Sequence, residues 1–476
     1  EMLFRHLYGF LGCKQPCLRL WISSLTDEAI TEGMANLLPC DRFDNLFLAA
    51  DSRNRADWLL GVNSSYAICK AVGFGNNSLG RVQTPVLAEI CRRYRERENH
   101  MPADSWPVFI SLCKNDRILK MRHVDDLVVR REALALYEDC KAAKSVRITA
   151  VGKRTEEIGA PALYNLAELQ KDANRYHSLT AIQVQEIAQG LYEKKLISYP
   201  RTSSRLLPKD VYDTLPPVME KMLSRKEFRQ YADTVDLAAP RDSIEAQDTM
   251  EHHAIIITGT QPGKLDREEM LVYTLIVGRM LETFMPPCKV EYTTVDTVCA
   301  ARKFRIRTYR ILEKGWLGIF EREHLVAKGC MPYLVMPDLF QEEILPVAGC
   351  SLIHKKSLPV SPYTDEELVD YMDKAGLGTV STRTNILRTL LERKYIHYSG
   401  KYVVPTPKGL FLYETVRSMK VADASLTSGW ETELARIERG ELSQEKFLDG
   451  VLETVNEVTG EIFRNHPVKK RPQGTT

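Results

Sequence analysis

The chain has 476 residues, 44% of them hydrophobic and 27% charged, a balance ordinary for a folded protein that excludes collagen-like, fibrous and wholly disordered classes. At roughly 150 residues per domain, that length holds about three domains. With 65 Lys and Arg against 63 Asp and Glu, the formal charge of +2 gives no global reason to expect a nucleic-acid partner, although charge can be segregated locally.

In chain order, the opening Glu1-Met2-Leu3-Phe4-Arg5 has neither the basic stretch nor the long apolar core of a signal peptide and reads as a start in mid-element. Residues 18–61 have a helical pattern: Ser24-Leu25-Thr26-Asp27-Glu28-Ala29-Ile30 is an N-terminal cap sequence, and apolar residues recur at three and four through 43–61. A second helix is predicted over 84–97. From 106 to 151 the pattern alternates, as in Val108-Phe109-Ile110-Ser111-Leu112, and a second β-rich block runs from 290 to 344. Between these blocks 162–284 is mostly helical, and 364–465 closes with helices. Two β blocks flanking a helical insert predict one sheet domain built from separated segments.

No apolar run approaches the roughly 18 residues of a membrane span, the best, 270–278, being of core length, so no membrane residence is expected. Eleven cysteines are scattered, odd in number and never spaced Cys-x-x-Cys, which predicts buried free thiols in a reducing compartment and speaks against zinc ribbons or a disulfide framework. Residues 464–476 carry Arg464, Lys469, Lys470 and Arg471 with no acid and read as a basic tail.

The most informative stretch runs from Lys194 to Lys209, with five basic residues and no acid between Glu193 and Asp210. Thr180 and Gln183 form a capping-box pattern, and Val184, Ile187, Ala188 and Leu191 give one apolar face to a helix ending near Lys194. Leu196 to Tyr199 then reads as extended, held out of helix by Pro200, with Tyr199 and Arg201 on one side. That geometry suits attack on a phosphodiester: a tyrosine hydroxyl is a competent covalent nucleophile, and a neighbouring guanidinium holds phosphate oxygens. The plainer reading is an interfacial aromatic beside a solvated basic run.

Further motifs decide between these readings. Leu196-Ile197-Ser198-Tyr199-Pro200-Arg201-Thr202 resembles the active-site signature of type IA DNA topoisomerases. Arg53-Asn54-Arg55-Ala56-Asp57-Trp58, Gly80-Arg81-Val82-Gln83-Thr84-Pro85, Glu251-His252-His253-Ala254-Ile255-Ile256 and Gly376-Leu377-Gly378-Thr379-Val380-Ser381-Thr382-Arg383 resemble four more segments of that family, in its order. The flavour is that of the bacterial topoisomerase III branch.

Each motif also has an ordinary structural reading. Arg53 and Asp57 stand four apart on a predicted helix, so an exposed intrahelical ion pair is the default; by resemblance they lie near the tyrosine and the DNA path. Gly80 to Gln83 reads as a loop entering a helix at Pro85; by resemblance Arg81, Gln83 and Thr84 line the single-strand groove. His252 and His253, with Asp248 and Glu251 nearby, raise a metal site. Adjacent strand side chains point to opposite faces and no His-Glu-x-x-His spacing exists, so no metal ligand is expected here. The resemblance makes His252 a hydrogen-bond donor near the scissile phosphate, and assigns Ser381, Thr382 and Arg383 to phosphate binding at a helix N-terminus. Ile257, Ser203 and Lys195 depart from the family's common Pro, Asp and Gly without removing a reacting group.

The resemblance implies an α+β multidomain toroid. Residues 1–38 would be a remnant of a TOPRIM domain, 39–98 and 361–465 the two parts of a helical DNA-groove domain, 99–158 and 286–360 a split β arch, 159–285 the helical domain with the tyrosine, and 466–476 the tail. Magnesium is the implied cofactor, its carboxylate ligands expected upstream of residue 1, so that the chain alone is expected to be impaired. The implied activity is ATP-independent cleavage and rejoining of single-stranded DNA by Tyr199, aided by Arg201 and His252. It proceeds through a 5′-phosphotyrosyl link, in a bacterial cytoplasmic monomer that relaxes negatively supercoiled DNA or decatenates it. Two other classes remain open: a non-enzymatic single-strand-binding fragment, and a tyrosine recombinase, which would form a 3′ linkage.

Overall fold

The computed structural model describes residues 1–20, 27–72, 76–226, 228–235, 244–245, 252–332, 337–380 and 382–466. The apolar recurrence over 43–61 does form a helix, α1 (Asp44–Val72), which continues past the predicted stretch and buries Ala49, Ala56, Leu60, Ala67 and Ile68. α2 (Gln83–Glu98) holds Pro85 in its first turn, where a missing N–H costs no helical hydrogen bond.

The arch begins with β1 (Val108–Lys114) and β2 (Arg117–His123), joined at Asn115-Asp116, whose φ angles of 50° and 60° are the left-handed pair a tight hairpin requires. The predicted alternation is then interrupted by α3 (Arg130–Ala142). Its Ala133, Leu136 and Cys140 recur at three and four and pack into the core of the sheet. β3 (Ser145–Ile158) follows.

The helical insert contributes α4 (Leu166–His177), α5 (Ala181–Glu193) and α6 (Arg267–Thr283). α5 carries the capping box expected of Thr180 and Gln183, and α6 a second one from Asp266 and Glu269. Leu163, Val184, Leu191, Ile255, Ile276 and Phe284 share the insert's own core.

The chain returns to the arch with β4 (Cys288–Cys299), β5 (Arg302–Glu313) and β6 (Ile344–Leu352), the last starting where the β pattern was read to end. Strand order is β5-β2-β1-β6-β3-β4, and β4 also pairs with β5, closing the sheet on itself around Val108, Ile110, Leu112, Val295, Phe304 and Ile306. Segments from both sides of the insert thus make one sheet, as their patterns predict. α7 (Asp365–Lys374), α8 (Arg383–Glu392), α9 (Ala424–Glu438) and α10 (Gln444–Asn465) complete the chain. They fold back onto the first helices, one apolar core joining Leu60 and Ile90 to Leu368, Trp430 and Val451.

The cysteines differ from expectation at one place. Two-residue strands Leu18–Arg19 and Leu38–Pro39 pair antiparallel, which sets Cys17 opposite Cys40 at a Cα separation of 5.8 Å, and the two are joined as a disulfide. The sequence read all thiols as free because nothing local announces this pairing. Among the described residues no helix is long and apolar enough to cross a membrane.

Candidate active site

Tyr199 stands in a loop whose shape is imposed from both ends. α5 stops at Lys194, and the chain turns through Lys195, whose φ of 59° is the left-handed conformation glycine adopts without strain. The Lys195 N–H donates to Tyr192 O at 2.8 Å and the Leu196 N–H to Leu191 O at 3.0 Å, closing the helix. The extended segment predicted over 196–199 is reduced to a single antiparallel bridge, Ile197 with Ile257. Beyond it, Ser198 secures the loop: its N–H donates to Ile256 O at 2.8 Å, and its hydroxyl donates to Ala254 O and receives the Ile256 N–H, each at 3.0 Å. On the far side the Thr202 hydroxyl donates to His252 O at 3.2 Å. Tyr199 is therefore held between two hydroxyl anchors. Sequence reasoning passed over both, because Ser and Thr in a loop announce no partner.

This bracing brings the predicted pair of aromatic groups together. The Tyr199 ring lies 4.7 Å from the exposed His252 ring and packs edge-on to Tyr192 at 5.4 Å. His253 turns the other way, as adjacent residues in an extended chain must: its Nδ1 donates to Ala254 O at 2.7 Å, and burial pushes its pKa down, favouring the neutral ring. Arg201 is half-buried, and its Nε is shut off from solvent with no hydrogen-bond partner among the described residues. An unpaired buried donor is costly, and a bound oxyanion would satisfy it.

The other predicted DNA-binding residues mostly meet each other. Arg53 and Asp57 do not pair along α1. Instead Asp57 receives Arg81 at 2.7 Å, Arg53 donates to Glu431 of α9 at 2.6 Å, and Arg81 also reaches Glu431 at 2.8 Å. Burial opposes ionisation of Glu431, yet the hydrogen bonds and charges of Arg53 and Arg81 outweigh it and hold the carboxyl below the usual carboxylate range. Arg81 itself is buried, its guanidinium 5.7 Å from the Trp430 ring. Glu431 was not foreseen, since it lies hundreds of residues from both arginines and in no motif. Gln83 reaches Ser78 Oγ at 3.4 Å, and Thr84 Oγ1 accepts the Gly80 N–H at 2.9 Å, so both shape the turn into α2.

At the start of α8, Thr382 Oγ1 accepts the Thr379 N–H at 2.8 Å. Arg383 is buried; its Nη2 meets Asp373 at 2.7 Å, while Nε and Nη1 lie buried without partners among the described residues. Ser381, like Asp248 and Glu251, lies outside the described residues.

A family model described as DNA topoisomerase matches residues 41–449, a span that takes in every site residue above. The chain belongs to the DNA topoisomerase family. It is similar to the DNA topoisomerase 3 of Bacillus cereus (29% identical, covering 97% of this chain and 67% of the relative) and of Bacillus anthracis (30%, with the same coverages). It is also similar to the DNA topoisomerase 1 of Methanocaldococcus jannaschii, 28% identical over 94% of this chain and 58% of that protein. Full-length topoisomerase I from Thermotoga maritima superposes with a TM-score of 0.76 at 20% identity, covering 97% of this chain and 76% of that one. That likeness is one of fold: the multidomain α+β toroid of type IA topoisomerases, as the motifs imply.

In this topoisomerase the insert carrying Tyr199 also touches α7 and α8, the second of which begins with Arg383. Gln170 on α4 donates from Nε2 to Thr384 Oγ1 at 3.1 Å, and Asp365 at the start of α7 accepts the Ala181 N–H of α5 at 2.6 Å. Among the described residues no three His, Cys, Asp or Glu side chains converge as a metal site.

Proposed function

We propose that Tyr199 cuts and rejoins single-stranded DNA. The observation that carries this reading is the Tyr199 ring set against an exposed His252, two residues from a guanidinium whose buried Nε awaits an acceptor. The phenol oxygen attacks phosphorus, the new O–P bond forms as the P–O3′ bond breaks, and the products are a 5′-phosphotyrosyl enzyme and a free 3′-hydroxyl. Arg201 holds the non-bridging oxygens as charge builds on them, and His252 donates a further hydrogen bond. The phosphodiester's energy is kept in the tyrosyl link, so the 3′-hydroxyl reseals the break without ATP. Between the two steps the insert swings away and a second strand passes, which relaxes negative supercoils or unlinks catenated DNA. Arg53, Gln83, Thr382 and Arg383 line the path of the cut strand, while Thr84 and the Arg81–Asp57 pair fix its shape. The magnesium that the resemblance implies finds no convergent set of ligands among the described residues, so each step here is assigned to the chain's own side chains.

A single-stranded oligonucleotide with sulfur in place of the bridging 3′-oxygen tests this directly, because a thiolate leaves without an acid to protonate it. The expected result is a covalent complex, stable to denaturation, with the 5′-phosphate on Tyr199, absent in Tyr199→Phe and slowed on the order of 10²-fold in Arg201→Ala. Protein attached to a 3′ end, or a Tyr199→Phe variant that still forms the complex, would overturn the reading.

A further inference from the structure

Away from the Tyr199 loop, positive charge is concentrated on the outer side of the arch. Along β5 the residues Phe304, Ile306 and Thr308 point inward and are buried, so Lys303, Arg305 and Arg307 share the opposite face. Register extends that face across the sheet. Arg307 stands opposite Thr294 of β4, which stands opposite Gly152 of β3. There the surface opens into a cavity of about 390 Å³, floored by Gly152 and Thr294 and rimmed by Arg154, Arg307 and Lys328.

Neutralisation is incomplete. Asp296 is shared by Lys303 and Arg305, at 2.8 and 2.6 Å, which holds its carboxyl down at about 2; Glu156 is shared by Arg154, at 2.7 Å, and Lys328. Arg307 has no ion-pair partner among the described residues and is exposed. Five cations therefore meet two carboxylates, in a chain whose overall charge is only +2. The cavity's aromatic, Tyr292, is no stacking platform: it is buried, its hydroxyl donates to Val326 O at 2.5 Å, and Arg154 and Lys328 lie 5.5 and 5.2 Å from its ring. Alternate residues of a strand repeat every ~6.7 Å, a spacing commensurate with successive phosphates of an extended strand. A surface of this kind takes a polyanionic backbone by charge and leaves the bases unread.

We propose that this outer face of the arch binds the phosphodiester backbone of a DNA segment other than the one held at Tyr199. The proposal rests on the reading of the chain as a DNA-cleaving enzyme, and its test separates the two. Arg307→Gln removes the cation that serves no partner in the fold, so the folded state is expected to persist. Binding of labelled single-stranded and duplex oligonucleotides is measured against salt concentration by fluorescence anisotropy. Loss of one phosphate contact flattens the log–log salt slope by about 0.7 if the segment is single-stranded and about 0.9 if it is duplex. Arg307→Lys keeps the parent slope. The sulfur-substituted oligonucleotide should still be trapped on Tyr199 by the Gln variant. Unchanged slopes on both DNAs would overturn the second site, while failure of the parent chain to bind either DNA would overturn the DNA reading beneath it.

Discussion

Two junctions hold the insert that carries Tyr199, and they are built from different materials. Toward the arch, Asp172 of α4 receives Arg279 of α6 at 2.7 Å, Arg322 of the chain leaving β5 at 2.8 Å, and the Tyr164 hydroxyl at 2.5 Å. The Arg322 guanidinium lies 4.2 Å from the Phe320 ring and 4.3 Å from Tyr176. Phe320 presses on α6 where Gly278 has no side chain. Toward the groove helices, the contacts are Lys171 with Asp370 at 2.9 Å, Arg388 with Glu186 at 2.6 Å, and Arg175 with Glu366, most of these side chains reaching solvent. The buried polar contacts there are Asp365, accepting from Ala181 and from the Tyr398 hydroxyl, and the uncharged Gln170–Thr384 hydrogen bond. Buried ion pairs resist separation because a lone buried charge is so costly, whereas exposed pairs exchange readily for water and salt. If the insert swings, the groove side is the one built to part and the arch side the one built to stay.

The strongest way to break this comparison is Arg322→Ala. Its guanidinium is 3% exposed, and removing it strips Asp172 and the nearby Glu282 of a buried counter-charge. A loss of about 3–5 kcal/mol in urea unfolding is expected. A loss below ~1 kcal/mol would mean that the arch junction is not the stronger one.

Gly278→Ala comes next. A Cβ there would lie 2.0 Å from Phe320 Cζ, so the ring has to move. Overpacking costs about 1–3 kcal/mol, offset by up to ~1 kcal/mol of better helix propensity. Pairing it with Phe320→Leu should restore most of the loss, since the smaller side chain makes room; no rescue would place the strain elsewhere.

Asp365 sharpens the comparison on the other side. Burial pushes its carboxyl above the usual range, against the opposing pull of the Ala181 N–H and the Tyr398 hydroxyl. With the folded value above the unfolded one, its contribution to stability is greatest below roughly pH 3.9 and declines as pH rises through the raised value. Asp365→Asn keeps an acceptor without the charge, so it should flatten that decline at a cost of about 1 kcal/mol in acid. A stability–pH curve that keeps its slope would detach Asp365 from this junction.

What could be read in advance follows the range of each interaction. The neighbourhood of Tyr199 and His252 was legible because each lies in a short motif, and the structure brings the two rings to 4.7 Å. The split sheet was legible from alternation on both sides of the insert. α3 was not, because a short amphipathic helix between strands blurs into their pattern; nor were the partners of Arg53 and Asp57, since the intrahelical spacing offered a nearer pair than the Arg81 and Glu431 that tertiary packing supplies. The arch junction was invisible for the same reason: Asp172 and Arg322 are linked only by the folding of the whole insert.

The smallest effect is expected at Arg388, and it is the one that tests what the groove junction is for. Its partner Glu186 is 62% exposed, so Arg388→Ala should cost only about 0.3–1 kcal/mol, and less as salt rises. Global stability is therefore a poor readout. A distance reporter placed across α5 and α8, on exposed positions, should instead show the open state gaining population in Arg388→Ala at low salt, and the parent chain approaching the variant as salt is added. No change in that distance, with the arch variants behaving as above, would mean that the exposed pairs decorate the junction and that Asp365 and the Gln170–Thr384 contact alone keep it shut.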